Sequence, residues 1–451
     1  MSLFLFLIIV LSLSCGSAPP REVAVVPCLV ASAGLILAWA LLAKSAASIA
    51  LARVRSGAQP LAAAQSLERQ LEALRWLGIA TVLICLLGFG LAGAVQLWPV
   101  FAQSLLLQSI VLLAPALLMI ASTLWAEHQY GVAMGYTAAG FFPAVSQVLT
   151  GLLRFSGWLL APILAMLAIA DLLMLMPGSD QIPSGISLAA LTILTVPVLV
   201  PWLAKRMWTT GPLAGDERCQ VGELVAAAGL PGLDVRLWDT GMRSPNAVVV
   251  GFFAPLRSLL LTDRLIRDLP EDQLKLIILH EVAHIRRHHI WLRMLSVLPG
   301  WLLAAMVLHL GGTGPLLLLL SNAVAIGGTL VMLRLSGHET EFEADRVACE
   351  LATQIGRPPS AYRSAHPVIS TSGISTGYTG PAMEPRAAAA ALAAALRRVT
   401  AGDDAGRAAW LHPSVDARCR RLELWAERAS EQQQVSADPL AASTPFSLPT
   451  I

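Results

Sequence analysis

The run His280-Glu281-Val282-Ala283-His284 carries the densest chemistry in the chain. Two histidines four positions apart rise about 6 Å along one helix face, so both imidazoles can grip a single ion. Two neutral ring nitrogens on one side of a tetrahedral ion leave room for a third protein ligand and for water, the pattern of a catalytic zinc. A glutamate next to the first histidine need not ligate, and stands ready to take a proton from that water. The expectation is one Zn2+ per chain, with His280 and His284 as ligands and Glu281 as general base.

Two histidines do not close such a site. The polar stretch beyond the next apolar hairpin offers Glu339, Glu341, Glu343 and Asp345. On a helix, Glu341 and Asp345 share a face, whereas Glu343 points about 200° away from Glu341. Glu341 is therefore the expected third ligand, and Asp345 the acceptor that fixes the free nitrogen of a ligand histidine. Glu343 is left without a role, and His288 and His289 are assigned to the membrane interface rather than to the metal.

The elements that position these residues are mostly membrane. Hydrophobic residues make up 56% of the 451 positions, charged ones only 13%, and mean hydropathy is +0.66, which excludes an ordinary soluble globular protein. Apolar runs able to cross about 30 Å of hydrocarbon lie near residues 24–44, 76–98, 104–126, 155–177 and 183–204. Two more, near 290–310 and 315–335, form a hairpin around a Gly-Gly-Thr-Gly turn. The expected fold is mainly α, a polytopic membrane protein of about seven spans.

Lys44, Arg53, Arg55, Arg69, Arg75, Arg154, Lys205 and Arg206 all fall on one side of that topology, and Arg286, Arg287, Arg293 and Arg334 agree. The opposite side carries Asp180, so the HExxH segment and the C-terminal part should face the cytoplasm of a bacterial inner membrane. The net charge of +2 follows topology rather than a patch, which leaves no nucleic-acid footprint. Residues 3–14 read either as a cleaved signal segment or as an uncleaved extension of the first hairpin. Six scattered cysteines without a CxxC pair give no disulfide framework.

Five regions follow: an N-terminal segment with five spans (1–205), a first polar block (206–287), the hairpin (288–335), a second polar block (336–430) and a disordered tail (431–451). In the first block, a helix over 216–228 precedes β-like runs at 234–238, 247–253 and 258–261, which suggest a small meander. Pro270-Glu271-Asp272 starts the helix that carries HExxH and feeds into the membrane. In the second, a helix over 338–355 is followed by a Pro/Gly/Ser/Thr-rich loop or lid at 357–385, then helices over 386–399 and 413–429.

His280-Glu-Val-Ala-His-Ile-Arg-Arg-His-His289, then two spans, then Glu341-Phe-Glu-Ala-Asp345, resembles the integral-membrane zinc metallopeptidases that include the CAAX prenyl endopeptidase and HtpX. Asn246-Ala247-Val-Val-Val-Gly251 is similar to that family's Asn-Ala segment on an edge strand, and Leu411-His412-Pro413-Ser414 with Arg418 to its HP motif. The likeness covers about residues 216–428, and the five-plus-two span count also resembles the prenyl endopeptidase. It implies a zincin-like α+β catalytic domain split by the hairpin. It also implies that Asn246 and Ala247 hold substrate by β-augmentation, that His412 stabilises the oxyanion, and that Arg418 assists. Where the family has Ser-Arg before the glutamate ligand this chain has Gly337-His338, and His338 is assigned either the arginine's supporting work or competition for the metal.

The leading reading is thus a membrane-embedded zinc endopeptidase of the EC 3.4.24 class acting on protein or peptide substrates in a lipid bilayer, through a Glu281-activated, zinc-bound water. A BlaR-like regulatory protease shares the HExxH run but would carry an appended sensor domain. A non-catalytic scaffold would not need His280, Glu281, His284 and Glu341 intact. Substrate identity and oligomeric state are not written in these residues.

Overall fold

The computed structural model describes residues 2–17, 22–175, 184–242, 245–312, 315–355, 381–400 and 410–437. It divides into two compact units, Met1–Met207 and Trp208–Ile451.

The first unit is helical throughout its described residues: α1 (Ser2–Ser14), α2 (Val25–Arg55), α3 (Pro60–Leu83), α4 (Leu91–Gln96), α5 (Pro99–Ala102), α6 (Leu105–Ala133), α7 (Phe141–Leu152), α8 (Trp158–Met174) and α9 (Ser184–Met207). α2 exposes Val26, Leu29, Val30, Leu37 and Leu41, an outward apolar face suited to lipid. α1 packs Phe4, Leu5, Ile8 and Ile9 into the core formed with Trp39, Leu86 and Leu112. Two polar clusters inside this unit are paired. Asp171 accepts from Ser104 Oγ (2.6 Å) and the Leu105 and Leu106 amides (2.7 and 3.0 Å), closing the start of α6, and Arg75 pairs with Glu127 at 2.8 Å.

Five helices among the described residues are long and apolar enough to cross a membrane: Val25–Arg55, Ala62–Gly88, Leu105–Ala133, His289–Gly311 and Leu320–Gln354. Of the other expected spans, 155–177 falls on α8, which a π-turn joins to α7. The run at 183–204 is α9, and most of its side chains, with Asp180, lie outside the described residues.

The second unit opens with β1 (Thr210–Pro212), α10 (Gly215–Ala227), β2 (Asp234–Trp238), β3 (Ala247–Val250) and β4 (Ser258–Thr262). The strand order is β1-β2-β4-β3, with β4 parallel to β2 and antiparallel to β3. This corrects the expected meander. All five positions of Ser258-Leu-Leu-Leu-Thr262 are buried, so this run takes the centre, and the Val-rich β3, which the sequence places next to β2, is displaced to the edge. The short β1 escaped sequence reading because Thr-Gly-Pro has no strand periodicity.

Then come α11 (Asp263–Asp268), α12 (Glu271–Arg286), α13 (His289–Leu295), α14 (Leu298–Gly311), α15 (Pro315–Gln354), α16 (Pro385–Val399) and α17 (Val415–Ala437). α12 has Glu271 and Asp272 in its first turn and Arg286 in its last, as the helix dipole favours. It does not run on into the membrane: His288 adopts a left-handed conformation (φ 55°) and α13 restarts at His289. The hairpin helices α14 and α15 cross at Gly300 and Gly328, where a Cβ on Gly300 would stand 2.7 Å from Ala325 O and Thr329 N. α15 is one continuous helix of 40 residues, so the expected boundary at 335/336 lies inside it. The 356–380 part of the expected loop and the 438–451 part of the expected tail lie outside the described residues, while 431–437 continue α17. Leu259, Leu261, Leu265, Ile278, Val282, Ala348 and Leu392 are core residues of this unit, packing sheet, α12, α15 and α16 together.

Candidate metal centre

α12 and the inner half of α15 pack side by side, which brings His280, His284 and Glu341 into one buried triangle. His280 Nε2 lies 3.2 Å from His284 Nε2, and the two nitrogens lie 3.5 Å from Glu341 Oε2 and Oε1 respectively. Ligands about 2.0–2.1 Å from a tetrahedral Zn2+ stand about 3.3 Å apart. The donor triangle therefore fits zinc in size as well as in atom type.

Asp345, one turn beyond Glu341, lies with Oδ1 2.9 Å from His280 Nδ1. Its carboxylate also receives Arg418 Nε (2.7 Å) and Nη2 (2.5 Å), and Arg418 Nη1 lies 3.3 Å from Glu341 Oε2. Burial opposes a charge on His280, yet contacts with Asp345 and Glu341 carry its imidazole up to about 9. Glu281 is raised to about 7, by burial first and by Glu341 in addition, against the pull of His280 and Arg293. A carboxylate tuned near neutrality is what a general base needs.

A cavity of about 330 Å3 opens on this triangle, lined by Asn246 to Val249 on one side and by Glu281, Arg293, His412 and Arg418 on others. β3 is the sheet edge here. Asn246 is fixed by its backbone, its amide donating to Thr262 Oγ1 (2.8 Å) and its carbonyl accepting from the Thr262 amide (3.0 Å). Below it the turn 239–242 is held by Asp263, which accepts from Thr240 Oγ1 (2.6 Å), Thr240 N (3.2 Å) and Met242 N (2.7 Å). Burial works against that charge, and these hydrogen bonds more than offset it, bringing Asp263 to about 2. His412 is half-exposed at the rim, its Nδ1 3.2 Å from Glu341 Oε1.

Several residues sit differently from the sequence expectation. Arg418 borders the cavity, but its guanidinium is turned onto Asp345 and Glu341. His338 makes no contact with the triangle among the described residues, and its buried Nε2 has no hydrogen-bond partner. The arginine contact expected of that position comes instead from Arg293 on α13, whose Nη2 lies 2.9 Å from both Glu341 Oε1 and Thr340 Oγ1. Nothing in the spacing signals Arg293, because the contact depends on how α13 folds back. Glu343 does point away from Glu341 but is not idle, pairing with Arg287 Nε (2.6 Å) and His289 Nε2 (3.2 Å). His289, the first residue of a candidate span, is 1% exposed and touches His284.

Residues 214–426 match the model of peptidase family M48. No curated protein matches the chain. Among solved structures it is similar to the crystal structure of S. mikatae Ste24p, with 12% identity and a TM-score of 0.41 over 88% of this chain and 99% of that one.

Proposed function

Residues 214–426 of this chain belong to peptidase family M48, which with its apolar helices makes it a membrane metallopeptidase, and from that premise we propose a zinc-dependent endopeptidase with Glu281 as its general base. The observation that carries the reading is the buried His280, His284 and Glu341 triangle at zinc-ligand separations, with Glu281 beside it in the same cavity. One zinc held there supplies a Lewis acid that acidifies water and polarises a carbonyl. The chain's own residues do the rest. Edge strand β3 from Asn246 and Ala247 pairs with an extended peptide, setting its scissile bond across the cavity. Glu281 takes a proton from the attacking water, whose oxygen bonds to the carbonyl carbon, and returns that proton to the amine as the C–N bond breaks. His412 donates to the carbonyl oxygen as charge develops on it. Asp345 and Arg418 keep His280 in the ligating orientation.

The distribution of arginine and lysine supports a cytoplasmic site in a bacterial inner membrane, and cysteine accessibility at positions in 206–285 against Gly312 tests it. Metal analysis tests the chemistry. Purified protein should hold about one zinc per chain, His280→Ala and Glu341→Ala should lose it, and Glu281→Gln should keep it while losing hydrolysis. Equal zinc in all three variants would overturn the assignment. Comparing the proteomes of cells with wild type and with Glu281→Gln would reveal the uncut substrate.

A further inference from the structure

The two histidines of the triangle are braced differently. His280 Nδ1 meets the Asp345 carboxylate directly, at 2.9 Å. His284 Nδ1 instead lies 2.8 Å from Nδ1 of a second imidazole, His289, whose Nε2 lies 3.2 Å from Glu343 Oε2. Glu343 Oε1 in turn receives Arg287 Nε at 2.6 Å. We propose that His289 and Glu343 are positioning residues for metal binding, a two-step relay that fixes the tautomer and the ring plane of His284. The proposal rests on the metal reading above and assigns work to residues that reading does not use.

The protonation pattern follows from the outer end inward. An ionised carboxylate only accepts, so Glu343 requires the proton of His289 on Nε2. That leaves a lone pair on His289 Nδ1, which can only accept from His284, so the His284 proton sits on Nδ1. The lone pair of His284 is then on Nε2, the atom that faces His280 and Glu341 across the triangle. Each nitrogen along the line has one assignment, and the last delivers a metal-ready nitrogen.

The backbone has to break for this to happen. On an uninterrupted helix, residues five apart point about 140° away from one another and cannot meet. The left-handed turn at His288 resets the phase, so that the His289 ring stands against His284 with centroids 4.9 Å apart and planes at 73°. Histidine is among the non-glycine residues that enter the left-handed region most readily, and the buried His284–His289 contact is what the turn creates.

The test measures zinc affinity of the purified full-length protein by competition with a chelator, together with the visible spectrum of the Co2+-substituted form. His289→Phe, which removes the acceptor, should weaken zinc about 10-fold to 100-fold and alter the Co2+ spectrum. His289→Asn can place an amide oxygen where Nδ1 stood and should stay within about threefold of wild type. Asn cannot reach Glu343, so Glu343→Ala should weaken zinc severalfold in the wild-type background and leave His289→Asn unchanged. This second comparison decides even if His289→Phe fails to fold. Wild-type affinity in His289→Phe, or an equal loss from Glu343→Ala in both backgrounds, would overturn the relay. His280→Ala separates the two levels: zinc lost there but insensitive to His289 and Glu343 refutes only the relay, whereas zinc retained there refutes the metal site itself.

Discussion

Replacing Asp345 by alanine should be felt twice, once without metal and once with it. The carboxylate is 3% exposed, accepts two hydrogen bonds from Arg418 and lies 2.9 Å from His280 Nδ1. Its removal strands the Arg418 guanidinium in the interior, where among the described residues Glu341 at 3.3 Å is the remaining ion-pair partner. Breaking one side of such a buried pair costs about 3–5 kcal/mol. In a unit spanning Trp208–Ile451, with each kcal/mol worth about 2–4 °C, the metal-free protein should melt about 6–20 °C lower. Independently, His280 loses the acceptor that orients it, and zinc affinity should fall about 10-fold to 100-fold. The double variant Asp345→Ala/Arg418→Met separates the effects. With the stranded charge gone, most of the melting temperature should return, while zinc affinity should not. Thermal unfolding in detergent, with chelator and with added zinc, reads the first effect, and chelator competition reads the second. An unchanged metal-free melting temperature in Asp345→Ala, or a double variant no more stable than the single, would refute the reasoning.

His412→Ala should leave zinc occupancy intact and lower kcat on a quenched peptide about 10-fold to 1000-fold, since the half-exposed ring is a donor at the rim and not a member of the triangle. Gly300→Val should destabilise the hairpin by about 1–3 kcal/mol or more, read as loss of folded yield in detergent, because its Cβ would meet Ala325 O and Thr329 N at 2.7 Å. Gly327→Ala, with nothing within 4 Å, should be silent in the same assay. Asp263, held at about 2 when folded, stabilises the 239–242 turn fully above about pH 4 and loses that contribution as pH falls towards 2, so Asp263→Asn should lose stability at neutral pH and show a flatter acid limb in thermal unfolding.

What could be read from the chain was whatever depends on local spacing. HExxH sits four residues apart on one helix, and Glu341 and Asp345 repeat that spacing, so their shared faces follow from helical pitch alone. The spans declare themselves by length and apolarity. The Asn246 and His412 segments were legible through their resemblance to a family, and the fold brings both to the cavity that opens on the triangle. What could not be read depends on a turn with no punctuation. No glycine or proline marks the break between Arg286 and His289, yet a left-handed His288 turns α13 back and thereby delivers His289 and Arg293 to the site. The same holds for the sheet: each run was visible, but the insertion of β4 between β2 and β3 is decided by which strand can be buried on both faces.

The 40-residue α15 carries both an apolar stretch long enough to cross a membrane and the Glu341 side chain of the triangle. From Ala325, where the hairpin helices touch, to Glu341 is about 24 Å of unbroken rod. A change of about 5° in its tilt swings the Glu341 carboxylate by about 2 Å, and tilt is the ordinary response of a span to a thicker or thinner hydrocarbon layer. That displacement is more than half of the 3.5 Å separating Glu341 from either histidine. Hydrolysis in vesicles should therefore pass through an optimum as acyl chains are lengthened, with zinc affinity rising and falling alongside it.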